Sequence, residues 1–156
     1  MKKNHSLEIL HEDQWVIVVS KPSGMLSVGF PGNRAKTAQD ILTEMNRGRG
    51  RHHIAVIHRL DRDTSGVMVF ACTAEAKETF MGDWQAIVTE RTYRCVCARS
   101  RGAAPLPPEG VCDAPIAYNK YDVGYVPRTG DAKALKEAEK AVTRFRVLER
   151  GIKCDL

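Results

Sequence analysis

The pattern of apolar and polar residues predicts two strands near the start of the chain. Residues 7–12 alternate weakly between the two classes, and residues 15–20 are apolar and rich in β-branched side chains. The segment Lys21-Pro22-Ser23-Gly24 ends the second run, because proline and glycine interrupt regular structure. We therefore predict a hairpin of two strands, roughly 7–12 and 15–20.

A first helix is predicted after a loop that covers residues 25–36. Thr37 is suited to the N-cap position, and Asp40 follows three residues later, as in a capping box. Gly48 is expected to end the helix. The helical spacing gives one apolar face, which consists of Ala38, Ile41, Leu42 and Met45.

A second helix is predicted from Ala74 to Ile87, with Thr73 as its N-cap. Its apolar face contains Phe80, Trp84 and Ile87. Gly82 lies inside this stretch and disfavours helix by about 1 kcal/mol relative to alanine.

The most polar stretch of the chain lies between two apolar runs, 54–57 and 67–71. Residues 58–66 contain two carboxylates, two guanidiniums, two hydroxyls, an imidazole and a glycine. We interpret the whole as strand, turn and strand. Polar groups at this density between two strands indicate a site on a rigid scaffold, and a plain hydrophilic turn is the alternative.

The second half of the chain has weaker patterns. Residues 89–98 predict a strand with Tyr93, Cys95 and Cys97 on one face. Residues 100–119 are rich in turn formers, and residues 121–133 resemble a loop. A short helix over 133–140 and a strand over 141–148 are expected to follow.

Composition and charge indicate a single globular domain with a basic surface. The chain has 156 residues, of which 43% are hydrophobic and 28% charged, and its formal net charge is +5. Such a balance is compatible with a polyanionic partner. The charge is concentrated just before the polar stretch, where Arg47, Arg49 and Arg51 alternate with glycines. We expect these arginines to contact phosphates of such a partner, although a solvated loop has the same composition.

Other classes of protein are disfavoured. No apolar run reaches the roughly 18 residues of a membrane span, and the first residues lack the apolar core of a signal peptide. The five cysteines include no C-x-x-C pair, so free thiols in a reducing compartment are favoured over a zinc site. We expect a cytoplasmic protein with no membrane association and no bound metal.

The polar stretch, His58-Arg-Leu-Asp-Arg-Asp-Thr-Ser-Gly66, resembles the His-Arg-Leu-Asp-x-x-Thr-Ser-Gly signature of the RluA-like pseudouridine synthases, the large-subunit rRNA and tRNA type. Three further segments are similar to family elements in the same order. Residues 18–24 resemble the Lys-Pro-x-Gly element, and residues 91–93 resemble the Lys-x-Tyr element with arginine for lysine. Residues 141–148 resemble the strand that follows a variable loop.

The resemblance implies a fold, a reaction and a partner. The fold is α+β, with a mixed, mainly antiparallel sheet and few flanking helices. The reaction is the isomerisation of uridine to pseudouridine in rRNA or tRNA, without a metal or other cofactor. The partner is RNA, with no obligate protein partner, and a monomer is expected.

The same resemblance assigns roles to residues. Asp61 is the nucleophile, which its position at the end of a strand also favours. Tyr93 packs on the uracil, and Arg59 helps to hold the flipped-out conformation or contacts a phosphate. Arg59 and Arg62 are close enough in sequence to be charge partners of Asp61, and Arg62 is also expected to bind the RNA. The remaining residues near the site are expected to be structural, with turn hydrogen bonds from Asp63, Thr64 and Ser65; they also include His58, Gly66 and Lys21.

Family members continue with a Thr-Gly-Arg-x-His-Gln-Ile-Arg segment that supplies a basic residue to the active site. This sequence stops before it, so we interpret residues 1–156 as a catalytic domain truncated at its C-terminus, without a separate N-terminal RNA-binding domain. A non-catalytic RNA-binding fragment is one alternative. Asp61-Arg62-Asp63-Thr64 also matches the Asp-x-Asp-x-Thr pattern of magnesium-dependent haloacid-dehalogenase phosphotransferases, a second alternative that requires a parallel sheet.

Overall fold

The computed structural model describes residues 7–49, 53–99, 101–120, 123–151 and 154–155. The chain divides into two compact units, Met1–Arg91 and Thr92–Leu156. Among the described residues, no helix is long and apolar enough to cross a membrane.

The first unit combines one sheet with a few short helices. Its strands are β1 (Glu8–Glu12), β2 (Val16–Lys21), β3 (Ala55–Val56) and β4 (Gly66–Ala71). Its helices are α1 (Ala38–Asn46), α2 (Ala74–Gly82) and α3 (Trp84–Ile87), and a 3-10 turn (Arg47–Arg49) follows α1.

The sheet has the order β1-β2-β4-β3, and every neighbouring pair is antiparallel. The β1–β2 hairpin confirms the predicted strands. β2 lies inside the sheet and pairs with β4 along its whole length, from Val16 opposite Ala71 to Lys21 opposite Gly66. β3 precedes the polar stretch and pairs with the C-terminal end of β4, at Phe70 and Ala71.

The core of the first unit lies on one face of this sheet. Ile17 and Val19 of β2 and Met68 and Phe70 of β4 are completely buried, and Leu42 of α1 packs against them. Each such side chain contributes about 1.5–3 kcal/mol of apolar burial relative to an exposed position. The face of the sheet that positions the polar stretch is therefore rigidly packed.

Helix α1 begins as predicted. Thr37 accepts a hydrogen bond from the Asp40 N–H and the Asp40 carboxylate accepts from the Thr37 N–H, which completes the capping box. The predicted apolar face is wrong at its end, because Met45 is 43% exposed and Asn46 is buried instead. The side-chain amide of Asn46 donates to the Leu42 carbonyl, while its Oδ1 is buried and has no hydrogen-bond partner among the residues that the structure describes. Gly48 lies inside the 3-10 turn and does not mark the end of α1.

The second predicted helix is divided in two. Thr73 caps α2 as expected, by accepting from the Ala76 N–H. The helix stops at Gly82, Asp83 leaves helical geometry, and α3 begins at Trp84. The poor helix propensity of glycine accounts for a break at this point.

The second unit contains three two-stranded antiparallel pairs and one helix in its described part. The strands are β5 (Cys97–Ala98), β6 (Glu109–Cys112), β7 (Ala117–Tyr118), β8 (Gly124–Tyr125), β9 (Thr143–Arg146) and β10 (Cys154–Asp155); the helix is α4 (Ala132–Glu137). β6 pairs with β9, β7 with β8, and β5 with β10.

Predictions for this unit were partly right. The helix near 133–140 and the strand within 141–148 are confirmed. The strand predicted over 89–98 is wrong except at its last two residues, which pair with β10. Strand propensity depends strongly on context and does not by itself determine a strand. The strands β6, β7 and β8 lie in segments for which turns and loops were predicted.

Candidate active site

The polar stretch forms the connection between β3 and β4. After Val56 the chain leaves the sheet, and it returns at Gly66, whose φ of +145° favours glycine. Between them the Thr64 N–H donates to the Asp61 carbonyl over 3.1 Å and closes a turn. The predicted strand, turn and strand are confirmed, with β3 shorter than the predicted apolar run.

Ser27 fixes the residue that precedes Asp61. Its hydroxyl donates to the Leu60 carbonyl (2.5 Å) and accepts from the Leu60 N–H (3.1 Å). Ser27 is 3% exposed, and the Leu60 side chain is buried in the core. Both main-chain groups of Leu60 are thus held by one buried side chain, which fixes the starting point of the turn.

Lys21 holds the main chain of the turn in place. Its side chain is completely buried, and its ammonium donates to the carbonyls of Met25 (2.8 Å), Arg62 (3.1 Å) and Pro22 (3.2 Å). Burial lowers the pKa of Lys21, while the carboxylates of Asp63 and Asp61 act in the opposite direction. The positive charge of Lys21 therefore acts on the turn from a fixed position, and the side chain has a structural role here.

Two neighbours of Lys21 complete the attachment. The Ser23 hydroxyl donates to the Asp63 carbonyl, and the Gly24 N–H donates to the Arg62 carbonyl, each over 2.8 Å. Gly24 has a φ of +85°, a left-handed conformation that side chains disfavour. The Lys-Pro-x-Gly element thus holds the main chain of the signature.

The charged side chains of the turn are exposed, including those of Arg59 and Asp61. Arg62 makes a two-point ion pair with Asp63, in which both N–O distances are 3.2 Å. This pair raises the pKa of Arg62 and lowers that of Asp63. The guanidinium of Arg62 thus pairs with the adjacent carboxylate of Asp63, and its expected roles beside Asp61 and on the RNA stay predictions.

The turn hydrogen bonds also differ from expectation. They come from the main chain of Thr64 and from residues 21–27, whereas the Asp63 side chain binds Arg62. Thr64 is half-buried and Ser65 is exposed.

His58 holds the other side of the connection. Its ring is half-buried, and Nε2 accepts a hydrogen bond from the Val69 N–H over 3.1 Å. The ring centre lies 5.3 Å from that of Trp84. Burial, together with the charge of Arg91, lowers the pKa of His58 and favours the neutral ring that can accept this bond. The His58 ring thus accepts the hydrogen bond from the Val69 N–H of β4 at a position where β3 no longer supplies a carbonyl.

The remaining predicted residues lie elsewhere. Arg47 and Arg49 are exposed in the 3-10 turn, and Arg49 forms an ion pair with Glu12 at 3.3 Å. Arg51 lies outside the described residues. Tyr93 belongs to the second unit and is 54% exposed.

A family model described as "RNA pseudouridylate synthase" matches residues 15–156, which is nearly the whole chain. The chain belongs to this family. The resemblance to the RluA-like pseudouridine synthases that the signature indicated is confirmed.

Three curated relatives agree with this assignment. "Uncharacterized RNA pseudouridine synthase YlyB" of Bacillus subtilis is 34% identical over 148 residues, which covers 92% of this chain and 46% of the relative. "Ribosomal large subunit pseudouridine synthase D" of Pseudomonas aeruginosa is 32% identical over 92% of this chain and 42% of its own. "tRNA pseudouridine synthase C" of Vibrio cholerae is 31% identical, with 92% and 54% covered. The chain spans about half the length of the curated relatives it matches.

A solved structure gives the fold. "Human RNA Pseudouridylate Synthase Domain Containing 4" superposes with a TM-score of 0.63 at 23% identity, covering 95% of this chain and 56% of that one. The predicted α+β class with mainly antiparallel sheet is confirmed. The phosphotransferase alternative is not supported, because it requires a parallel sheet and the sheet of the first unit is antiparallel.

One residue important for the site, Ser27, was not predicted from the sequence. Ser27 is the polar side chain within the short apolar run Met25-Leu-Ser-Val28. That isolation was a usable signal, since a hydroxyl among apolar residues needs a partner when it is buried. Its partner Leu60 is 33 residues away, which no local pattern indicates.

Proposed function

We propose that this protein is an RNA pseudouridine synthase that uses Asp61 as its nucleophile. One observation carries the proposal: an exposed aspartate directly follows Leu60, whose main-chain N–H and carbonyl are both fixed by Ser27. A nucleophile must be accessible to its substrate and accurately positioned, and this arrangement provides both.

The reaction breaks the bond between uracil N1 and the ribose C1′ and forms a bond from C5 to C1′. The hydrogen of C5 leaves as a proton and N1 takes up a proton, so the product is an isomer of the substrate and no electrons are exchanged with another compound. The carboxylate of Asp61 provides the nucleophile. The fixed positive charge of Lys21 supports negative charge on this turn, because Asp61 and Asp63 both interact electrostatically with it.

Other residues would act on the RNA. A base inside a stem must leave its stack before it can be attacked, and loops make this easiest. Arg59 is proposed to stabilise the flipped-out state, and Tyr93 to pack on the uracil. Arg47, Arg49 and Arg51 are proposed to contact phosphates, which the net charge of +5 supports.

The substrate is proposed to be rRNA or tRNA. Relatives with similar identity to this chain are named for each class, a ribosomal large-subunit synthase at 32% and a tRNA synthase at 31%. We further propose a cytoplasmic monomer. A reducing compartment is supported by the cysteines of the sequence, which are five in number and include no C-x-x-C pair.

The test measures tritium release from RNA labelled at carbon five of uridine. We expect wild type to release tritium and Asp61→Asn, which removes only the charge and nucleophilicity, to release none. Asp83→Asn is the matched control, because Asp83 is also exposed in the first unit and its side chain caps no helix. Release by Asp61→Asn at the wild-type rate would refute the nucleophile.

A second outcome separates catalysis from binding. If neither wild type nor Asp61→Asn releases tritium but both bind the RNA, the chain is an RNA-binding module without turnover. Thermal unfolding of all three proteins should agree, because surface substitutions usually change stability by no more than about 0.5 kcal/mol.

A further inference from the structure

A shallow groove lies between the loop before α1 and the side of that helix. It has a volume of about 370 Å³ and is lined by Phe30, Arg34, Lys36, Glu44 and Arg47, together with Gly29, Asn33, Ala35, Asp40 and Thr43. None of these residues belongs to the turn that carries Asp61. We call this surface the Phe30 groove.

Phe30 is 61% exposed, and its main chain belongs to a tight turn. The Asn33 N–H donates to its carbonyl over 2.9 Å, and Gly32 has the positive φ of +87° that this tight turn requires. Asn33 further binds Ala35 through both its side-chain amide and carbonyl, at 2.7 and 3.1 Å. An aromatic ring that is largely open to water, on a turn held in this way, is suited to stacking on a planar ligand.

The charged side chains that line the Phe30 groove differ in whether they have a partner. Lys36 forms an ion pair with Glu44 at 2.6 Å, and the Asp40 carboxylate accepts hydrogen bonds from Thr37 in the capping box. The charge of Glu44 is thus compensated by Lys36, whereas Asp40 is hydrogen-bonded within the capping box and keeps its negative charge. The guanidiniums of Arg34 and Arg47 are exposed and have no ion pair within the described ranges.

We propose that the Phe30 groove binds one unpaired nucleotide of the RNA substrate, outside the target uridine. Its base stacks on Phe30, and its flanking phosphates contact Arg34 and Arg47. This inference rests on the proposed function, because it takes RNA as the substrate. Aromatic stacking beside basic side chains is how proteins hold single-stranded RNA without reading its sequence. An acidic peptide would use the arginines but would leave the exposed ring without a planar partner.

The first test is the affinity of the full chain for a fluorescein-labelled single-stranded decauridine, measured by fluorescence anisotropy. Loss of one stacked base weakens binding by roughly 5- to 100-fold, and we expect Phe30→Ala to fall in this range. Phe30→Trp should bind at least as tightly as wild type. Met81→Ala is the control, because Met81 is also 61% exposed but lies outside the groove.

The second test is the salt dependence of the same affinity. Arg34→Ala and Arg47→Ala should each reduce the slope of log affinity against log salt by about 0.7, the contribution of one phosphate contact on a single strand. Phe30→Ala should weaken binding at every salt concentration without changing the slope. Poly-glutamate at the same charge concentration should not displace the RNA.

The outcomes distinguish this inference from the proposed function. If wild type binds RNA and releases tritium but Phe30→Ala binds equally well, the groove is refuted and the proposed function stands. Equal loss of affinity in Met81→Ala, or displacement by poly-glutamate, also refutes it. If wild type does not bind RNA, both proposals fail. Weaker binding by Phe30→Ala with an unchanged kcat at saturating RNA supports the groove as a site separate from the chemistry.

Discussion

Ser27→Ala is the substitution that best tests how the candidate site is held in place. The change removes one hydroxyl and leaves the N–H and carbonyl of Leu60 without their partner. Both bonds are buried, since Ser27 is 3% exposed and Leu60 is 9% exposed. Water therefore cannot replace the hydroxyl unless the turn moves.

The expected cost follows from these two groups. A buried polar group left unsatisfied costs about 1–3 kcal/mol, so two of them cost about 3 kcal/mol after partial relaxation. For a chain of this length, that corresponds to a melting temperature about 6–12 °C lower. Asp61 is the next residue, so kcat should fall as well, because small displacements of a reacting group reduce rates strongly.

The assay compares thermal unfolding and tritium release for Ser27→Ala and Ser23→Ala. Ser23 also donates its hydroxyl to the turn, at the Asp63 carbonyl, but it is exposed and water can replace it. Ser23→Ala should therefore cost less than about 0.5 kcal/mol. If both variants unfold at the same temperature and retain the same kcat, the buried double hydrogen bond does not position the turn, and our explanation is wrong.

Two further predictions concern the residues on either side of the turn. Burial lowers the pKa of His58 in the folded protein, so the unfolded chain binds a proton at this residue more tightly. The stability that the neutral ring provides is therefore complete above about pH 6.5, the unfolded pKa. It is lost as the pH falls toward the lower pKa of the folded state. His58→Gln should flatten this acid limb in urea titrations between about pH 4 and 7, whereas the exposed control His53→Gln should not. Lys21→Met should destabilise the protein by about 2–4 kcal/mol in the same titrations at neutral pH, because three carbonyls lose a charged donor; unchanged stability would show that the ammonium contributes nothing net.

Features that depend on neighbouring residues were predictable from the sequence. The Thr37 and Thr73 caps and the turn before Gly66 use contacts three residues apart, and the β1–β2 hairpin pairs residues at most 12 positions apart. The nine-residue signature also identified the family, because a sequence motif of this length can be recognised without knowing the structure.

Features that depend on distant residues were not predictable. Residues 89–98 have strand composition, but only Cys97 and Ala98 form a strand in the described part of the chain. Met45 fits the helical apolar pattern, yet the core contacts Asn46 instead. The bonds from Lys21 and Ser27 to the turn span more than 30 residues, and no periodicity reports such a distance.

The way in which the turn is attached has a consequence for how this sequence can evolve. Residues 21–27 hold the turn through the main-chain atoms of Leu60, Arg62 and Asp63. Main-chain atoms are the same for every amino acid except proline, so an exchange of the Asp61 or Ser65 side chain leaves these bonds intact. Selection for shape therefore acts mainly on residues 21–27, and selection for chemistry can act on the turn independently.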